Sequence, residues 1–336
     1  MKRDLKKRIV KLMEEPISEE EISAAMVPLK NGRYTQGEIV EEFESTFAEW
    51  NGSKYSVMVN SGSSANLALM ALIKEKHNFK DGDEVLVPNV TWFTTVYPVI
   101  QTGLKPVFCD VDESFNISLS SMEKMVGEKT RGVFAVHLLG QTAKMEEIRK
   151  FCDEKDLVLM EDCCEGQGSK YKGKKVGSFG EGGTFSFYVG HIMTTIEGGL
   201  ITTDDEKDYD LLKSIRNHGL TRKTNREDFY PEFKDKIYVS DIMGYNFRNT
   251  NVHAAIGLVQ LKKVDGFIKK RVENHEYFLK KIEDLPLTPQ KVNLNETSSF
   301  AFGFLFPDKN SRDSILERIL EEGVESRPIV AGNLLR

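Results

Sequence analysis

Apolar and polar residues recur along this chain with two alternating periods. EIVEEFESTFAEW, from Glu38, has apolar positions at helical spacing, and the short apolar run YSVMVN, from Tyr55, reads as a buried strand. SGSSANLALMALIKE returns to the helical period, and GDEVLVPNVTWFTTVYPVIQTGLKPVFCDVD reads strand, helix, strand. RGVFAVHLLG predicts a further strand, KMEEIRKFCDEKD a helix and LVLMED another strand. Strands and helices in such alternation predict an α/β domain around a mostly parallel sheet. Upstream, PISEEE sets Ser18 and Glu21 as a capping box, so a helix should begin at about Glu19.

YKGKKVGSFGEGG reads as a hairpin leading into TFSFYVGHIMTTIEGGLITTDD. There the alternation of Thr, Phe, Ser and Phe predicts one strand and LITTDD the next, with His191 on the connection. A helix over EKDYDLLKSIRNHG, a polar segment over 221–236 and a long helix after MGYNFRNTN follow. From about Leu285 the chain reads as a smaller unit of strand, helix and strand. The organisation expected is an N-terminal helical segment over 1–27, a large domain over 28–250 and a small C-terminal domain over 251–336.

Composition narrows the function. With 336 residues, 40% of them hydrophobic, the chain can bury a large core. A net charge of -6 without a basic stripe argues against nucleic acid as a partner. The basic start MKRDLKKRIVKLMEE lacks an apolar core region and a cleavage site, and no stretch is apolar enough to span a membrane, so the expectation is a cytoplasmic protein. Four cysteines without C-x-x-C spacing read as buried thiols, and no metal-ligand set is apparent.

Four features carry candidate chemistry, each with a plainer alternative. The turn at Gly62, Ser63 and Ser64 between a strand and a helix can cradle a phosphate on amides of the helix N-terminus, or be only a turn. Trp92 lies just past a strand's carboxyl end, where open α/β sheets bind ligands, or is core. Asp162 ends an apolar run, as a rim carboxylate or a helix cap. His191 is a titratable group between core strands, or a loop histidine without a task.

The stretch from Thr184 to Gly199 resembles one family, the pyridoxal-phosphate-dependent sugar aminotransferases of the DegT/DnrJ/EryC1/StrS group. Their pattern is SFxxxKxxTxxEGG, and its lysine holds the cofactor covalently. Aligned on Glu197, Gly198 and Gly199, that lysine falls on His191, and no lysine occurs between Val176 and Glu206. An imidazole has no primary amine to form the linkage. The same replacement marks the family's sugar 3-dehydratases. The likeness extends over essentially the whole chain through SGSSAN, Trp92, Glu161-Asp162, Ser186, His191 and Gly244-Tyr245-Asn246.

The resemblance implies an aspartate-aminotransferase-like fold of type I and a homodimer. It implies pyridoxal 5'-phosphate or pyridoxamine 5'-phosphate held without a covalent bond. The turn at Gly62, Ser63 and Ser64, with Ser186, would hold the phosphate, and Trp92 would stack on the ring. Asp162 would pair with the ring nitrogen, and Glu165, where aminotransferases carry Gln, would lie near the ring. Asn246 would cross the dimer interface, while His218 and Arg222 would face substrate. The loop GRYTQG would lie near substrate as well.

The activity implied is loss of the 3-hydroxyl from a nucleotide-linked 4-keto-6-deoxyhexose, with glutamate as amino donor, for the deoxysugars of lipopolysaccharide O-antigens. His191, with an ordinary pKa of about 6.5, is the implied base. One branch of these dehydratases carries an iron–sulfur cluster on cysteines in the segment matching IRNHGLTRKTNRED, which has none, so no cluster is expected. Similar proteins continue past Arg336, so the small domain is expected to be shortened. Two other readings stay open: an aminotransferase without the lysine linkage, whose product keeps nitrogen, and an inactive cofactor- or sugar-binding homologue. The nucleotide and the hexose are not fixed by sequence.

Overall fold

The computed structural model describes residue 10, residues 16–229 and residues 238–335. Most of the basic start and the later part of the polar segment 221–236 lie outside the described residues. Helix α1 (Glu19–Lys30) begins at the expected capping box, and α2 (Glu38–Asn51) ends on Gly52 in the left-handed region. The expected boundary at 27/28 falls inside α1, which accommodates Pro28 in its last turn. This helix packs along the long α8 (Asn251–Ile282), where Lys263 and Gln260 reach the Glu21 carboxylate at 2.8 Å each.

The central sheet contains β1 (Tyr55–Val59), β2 (Glu84–Pro88), β3 (Lys105–Cys109), β4 (Thr130–Val136), β5 (Val158–Asp162), β8 (Gly182–Ser186) and β9 (Gly199–Thr203), in the order β1-β9-β8-β5-β4-β2-β3. Between β5 and β8 the expected hairpin forms as β6 (Lys170–Tyr171) and β7 (Lys174–Lys175). β2, β3, β4, β5 and β8 are mutually parallel, and β9 runs antiparallel to both of its neighbours. β1 therefore points the same way as β8, and six of the seven strands share one carboxyl edge. The helices between them are α3 (Gly62–Lys76), α4 (Phe93–Gln101), α5 (Leu119–Met125) and α6 (Met145–Lys155), with α7 (Glu206–Arg216) after β9. The short α5 was not legible from periodicity.

Alternation along β8 divides two environments. Phe185 and Phe187 are buried on one face, with Phe185 5.0 Å from Phe47 and Phe187 5.4 Å from Phe43, both edge-on to rings of α2. Thr184 and Ser186 take the other face, toward α3, where the Thr184 hydroxyl donates to Asn66 Oδ1 at 2.5 Å. Each fully buried Phe contributes about 2–3 kcal/mol by leaving water.

After α8 the chain differs from the expected strand, helix and strand. β10 (Thr288–Pro289) and β11 (Phe304–Leu305) pair antiparallel and both precede α9 (Lys309–Glu321). Beyond α9, among the described residues, the chain forms only isolated bridges, from Val324 to Val10 and from Asn333 to Val90. Without a neighbouring strand the apolar run near Val330 has no ladder to join. Among the described residues, no helix is long and apolar enough to cross a membrane.

Candidate active site

The turn at Gly62, Trp92, Asp162, Glu165 and His191 all end or follow strands at the shared carboxyl edge. Leaving β1, the chain turns at Ser61 into α3, and the Ser61 hydroxyl caps that helix by accepting from the Ser64 amide at 3.1 Å. This cap engages the Ser64 amide, one of the two amides expected to face a phosphate, within the helix itself. Helix geometry leaves Gly62 and Ser63 as first-turn amides without intrahelical partners. Close approach requires glycine here: a Cβ on Gly62 would lie 2.6 Å from Ser186 Cβ, and one on Gly199 would lie 2.1 Å from the Ser61 carbonyl oxygen. The Glu-Gly-Gly after His191 and the turn before α3 thus fit each other.

Asp162, at the end of β5, is buried. Its Oδ2 accepts from Asn66 Nδ2 at 2.9 Å and from the Thr95 hydroxyl at 2.8 Å, and its Oδ1 accepts from the Cys164 amide at 3.1 Å. Asn66 is fully engaged, for its second Nδ2 hydrogen goes to the Thr94 carbonyl at 2.8 Å. Neither Asn66 nor Thr95 was singled out from sequence. A polar residue on the apolar helical run ANLALMALI was the available signal for Asn66.

Trp92 caps α4 just past β2 and stays 53% exposed, leaving its indole open at the sheet edge. Glu165 accepts the Leu139 amide at 2.7 Å, and burial pushes its carboxyl up to about 7, opposed by that hydrogen bond and assisted by the nearby Asp162 charge.

His191 lies on the turn between β8 and β9, its amide donating to the Tyr188 carbonyl at 2.9 Å. The residue keeps some contact with solvent, but its Nδ1 is buried without a hydrogen-bond partner among the described residues. The Phe300 ring covers the imidazole at 5.2 Å between centroids. Burial lowers its pKa from 6.5 to about 4, with Asp162 acting to raise it and Arg271 to lower it further. This corrects the expectation of an ordinary value: at neutral pH the imidazole is held as the free base.

The remaining candidates form a separate exposed group. His218, at φ 60°, donates its amide to the Tyr245 carbonyl at 2.8 Å, and Asn217 bridges to Asn246. Arg222 is exposed as well. The GRYTQG loop lines a cleft of about 470 Å³ together with Lys223 and Asn251. Among the described residues, no hydrogen bond joins His218, Arg222 or Asn246 to His191 or Asp162.

Three cysteines are buried and Cys164 is half-buried. His137, Glu161 and Cys163 bring ligand-type atoms together within 4.8 Å. The Glu161 carboxylate there is already engaged by three backbone amides and the His137 ring.

The family model for DegT/DnrJ/EryC1/StrS aminotransferases matches residues 15–333. A GDP-4-keto-6-deoxy-D-mannose 3-dehydratase of Escherichia coli is 39% identical over 326 residues, 94% of this chain and 84% of its own length. A solved structure of the E. coli enzyme with bound hydrated PLP matches with a TM-score of 0.92 at 38% identity, over 98% of this chain and 87% of that one. A solved GDP-4-keto-6-deoxymannose-3-dehydratase with a trapped PLP-glutamate geminal diamine gives a TM-score of 0.89 at 38% identity, over 97% and 87%.

Proposed function

This chain belongs to the DegT/DnrJ/EryC1/StrS aminotransferase family, and from that premise we propose that it is a pyridoxal-phosphate-dependent dehydratase acting on a nucleotide-linked 4-keto-6-deoxyhexose. The observation that carries the reading is a histidine, held neutral, where the family's linking lysine would stand. The residues present fit the cofactor. The same carboxyl edge carries a buried His191 Nδ1 without a hydrogen-bond partner among the described residues, the open indole of Trp92 and a carboxylate that Asn66 and Thr95 orient. The Gly62 and Ser63 amides and the Ser186 hydroxyl would hold the phosphate, the macrodipole of α3 favouring an anion there.

When bound in its amine form, the cofactor supplies a nitrogen for the sugar's keto carbon and an electron-accepting ring. Asp162 would hold the ring nitrogen and favour its protonated state by a charge-assisted contact. His191 takes up a proton on its free nitrogen. Overall the sugar exchanges its 3-hydroxyl for hydrogen, a two-electron reduction. Glutamate supplies the electrons, leaving as 2-oxoglutarate and ammonia. GDP is the nucleotide to test first, because the similar enzymes are named for GDP-4-keto-6-deoxymannose. Such a product belongs to the deoxysugars of lipopolysaccharide O-antigens.

A homodimer completes the reading. α4 leaves Trp92, Phe93, Tyr97 and Ile100 exposed beside the site, with Phe93 and Tyr97 stacked at 5.7 Å. Asn246, set apart from its own chain's Asp162 and His191, would serve the partner's cofactor phosphate, and His218 and Arg222 would meet substrate there. Residues 28–250 would be the cofactor-binding domain. Nucleotide sugar and glutamate as substrates favour the cytoplasm.

The test is incubation with GDP-4-keto-6-deoxymannose, pyridoxal phosphate and glutamate. Mass analysis should show a sugar lighter by one oxygen, with ammonia and 2-oxoglutarate in equal amounts. A product that retains nitrogen would make the protein an aminotransferase, and cofactor binding without turnover would make it an inactive homologue.

A further inference from the structure

We propose that Phe300 is a positioning residue for His191: a clasp between the turn 138–140 and the segment 297–300 presses its ring on the imidazole and fixes the orientation in which that imidazole takes up a proton. The proposal rests on His191 being the base of the proposed reaction.

The clasp fastens Phe300 from two sides. Its amide donates to the Leu139 carbonyl at 3.0 Å, and the Gly140 carbonyl accepts from the Ser298 amide at 3.2 Å, from the Thr297 hydroxyl at 2.8 Å and from the Ser169 hydroxyl at 2.7 Å. The fit admits no side chain at Gly140, where a Cβ would lie 2.7 Å from the Phe300 amide nitrogen. Leu139 adopts φ 56°, a costly conformation for a branched residue, and its amide is anchored on Glu165 at 2.7 Å.

From the other side, α8 supplies Arg271, whose Nη1 donates to the Phe300 carbonyl at 2.9 Å, and His275, whose Nδ1 meets the Ser299 hydroxyl at 2.9 Å. With its backbone tied to the sheet edge and to α8, Phe300 places its ring 5.2 Å from His191 at 34°. Tyr188, on the histidine's own turn, stands edge-on at 6.4 Å. The charges acting on the imidazole are Asp162 from β5 and Arg271 from α8, of opposite sign, and desolvation outweighs both in lowering its pKa. An apolar ring in contact with the imidazole contributes to that desolvation, and its removal admits water.

The experiment compares Phe300→Ala, Phe300→Leu and the ring-keeping Phe300→Tyr with the parent. NMR on histidine-labelled protein without cofactor follows the His191 titration, assigned by difference from His191→Asn. Turnover of the nucleotide sugar is measured against pH on the loaded enzyme. The midpoint should rise in the Ala variant and stay near the parent's in the Tyr variant. The ratio of Ala to parent turnover should be about tenfold lower at pH 5.5 than at pH 8, as for an imidazole restored to its ordinary pKa, with KM unchanged. If the Ala variant does not fold, the Leu variant carries the same comparison. An unmoved midpoint overturns the role of Phe300. A moved midpoint with a flat turnover ratio overturns the proposal differently, because His191 then is not the base.

Discussion

Glu161 and Asp162 are neighbours at the end of β5 with almost the same burial, 0% and 5% exposed, yet the chain treats them differently. Strand alternation sends them to opposite faces. Glu161 Oε1 accepts from the Phe179 and Gly180 amides at 2.6 and 2.9 Å, and Oε2 from the Gly177 amide and His137 Nε2 at 2.9 and 3.1 Å. His137 Nδ1 accepts from the Ala143 amide at 3.2 Å, which fixes the proton on Nε2. With four donors, Glu161 is saturated. Asp162 is held instead by the Asn66 and Thr95 side chains and by the Cys164 amide and thiol, at the carboxyl edge of the sheet. A carboxylate fixed mostly by backbone amides inside the fold is architecture, whereas one that side chains orient at the carboxyl edge can turn to a ligand.

Substitutions should separate the two. Asp162→Asn removes the charge at the site, and turnover should fall about a thousandfold, roughly 4 kcal/mol of lost transition-state stabilisation, while the urea midpoint changes little. Turnover near the parent rate would make Asp162 as structural as its neighbour. Glu161→Ala leaves buried donors unpaired and should cost about 3–5 kcal/mol of stability by urea denaturation, with turnover of the folded fraction within about threefold of the parent. An unchanged midpoint there would contradict the architectural role.

Asn66→Ala keeps the Asp162 charge but loses one of its two Oδ2 donors. Turnover should drop about tenfold or more at constant KM for the nucleotide sugar, the mark of a misplaced group rather than a missing one. An effect on KM alone would place Asn66 in substrate binding instead.

Glu165→Gln gives the smallest effect and tests a third carboxyl on the same edge. Its folded pKa, about 7, lies above its ordinary value of 4.5, so its favourable contribution is complete below pH 4.5 and is lost as pH rises toward and through 7. An amide does not titrate. The melting temperature of the variant relative to the parent should therefore rise by about 2–4 °C between pH 5 and pH 8. A constant difference would mean that Glu165 is ionised at the same pH folded and unfolded.

Sequence showed the seven strands of the central sheet, most helices and the residues that end or follow those strands, because Asp162, Trp92 and His191 owe their positions to one edge that local periodicity predicts. What it did not show depends on distance along the chain. Asn66 and Thr95 meet Asp162 across 96 and 67 residues, and no local pattern announces that a helix will turn those polar groups toward a strand end. Phe300 was hidden for a second reason. Its place follows from positive φ at Leu139 and from a glycine fit at Gly140, both backbone properties without a periodic signature. The strand expected after α9 failed because apolar composition alone does not provide a pairing partner.

The alternation of Thr184 and Ser186 with Phe185 and Phe187 has a consequence for folding. A slip of one residue in β8 would turn both aromatic rings toward Gly62 and bury two hydroxyls among the rings of α2, so the register admits no graded error. A compact refolding intermediate with loosely paired strands would keep its far-ultraviolet circular dichroism yet lack the phosphate pocket proposed above. Cofactor affinity then reports correct threading of a single strand, and ligand present during refolding should draw the population toward the in-register ensemble by mass action.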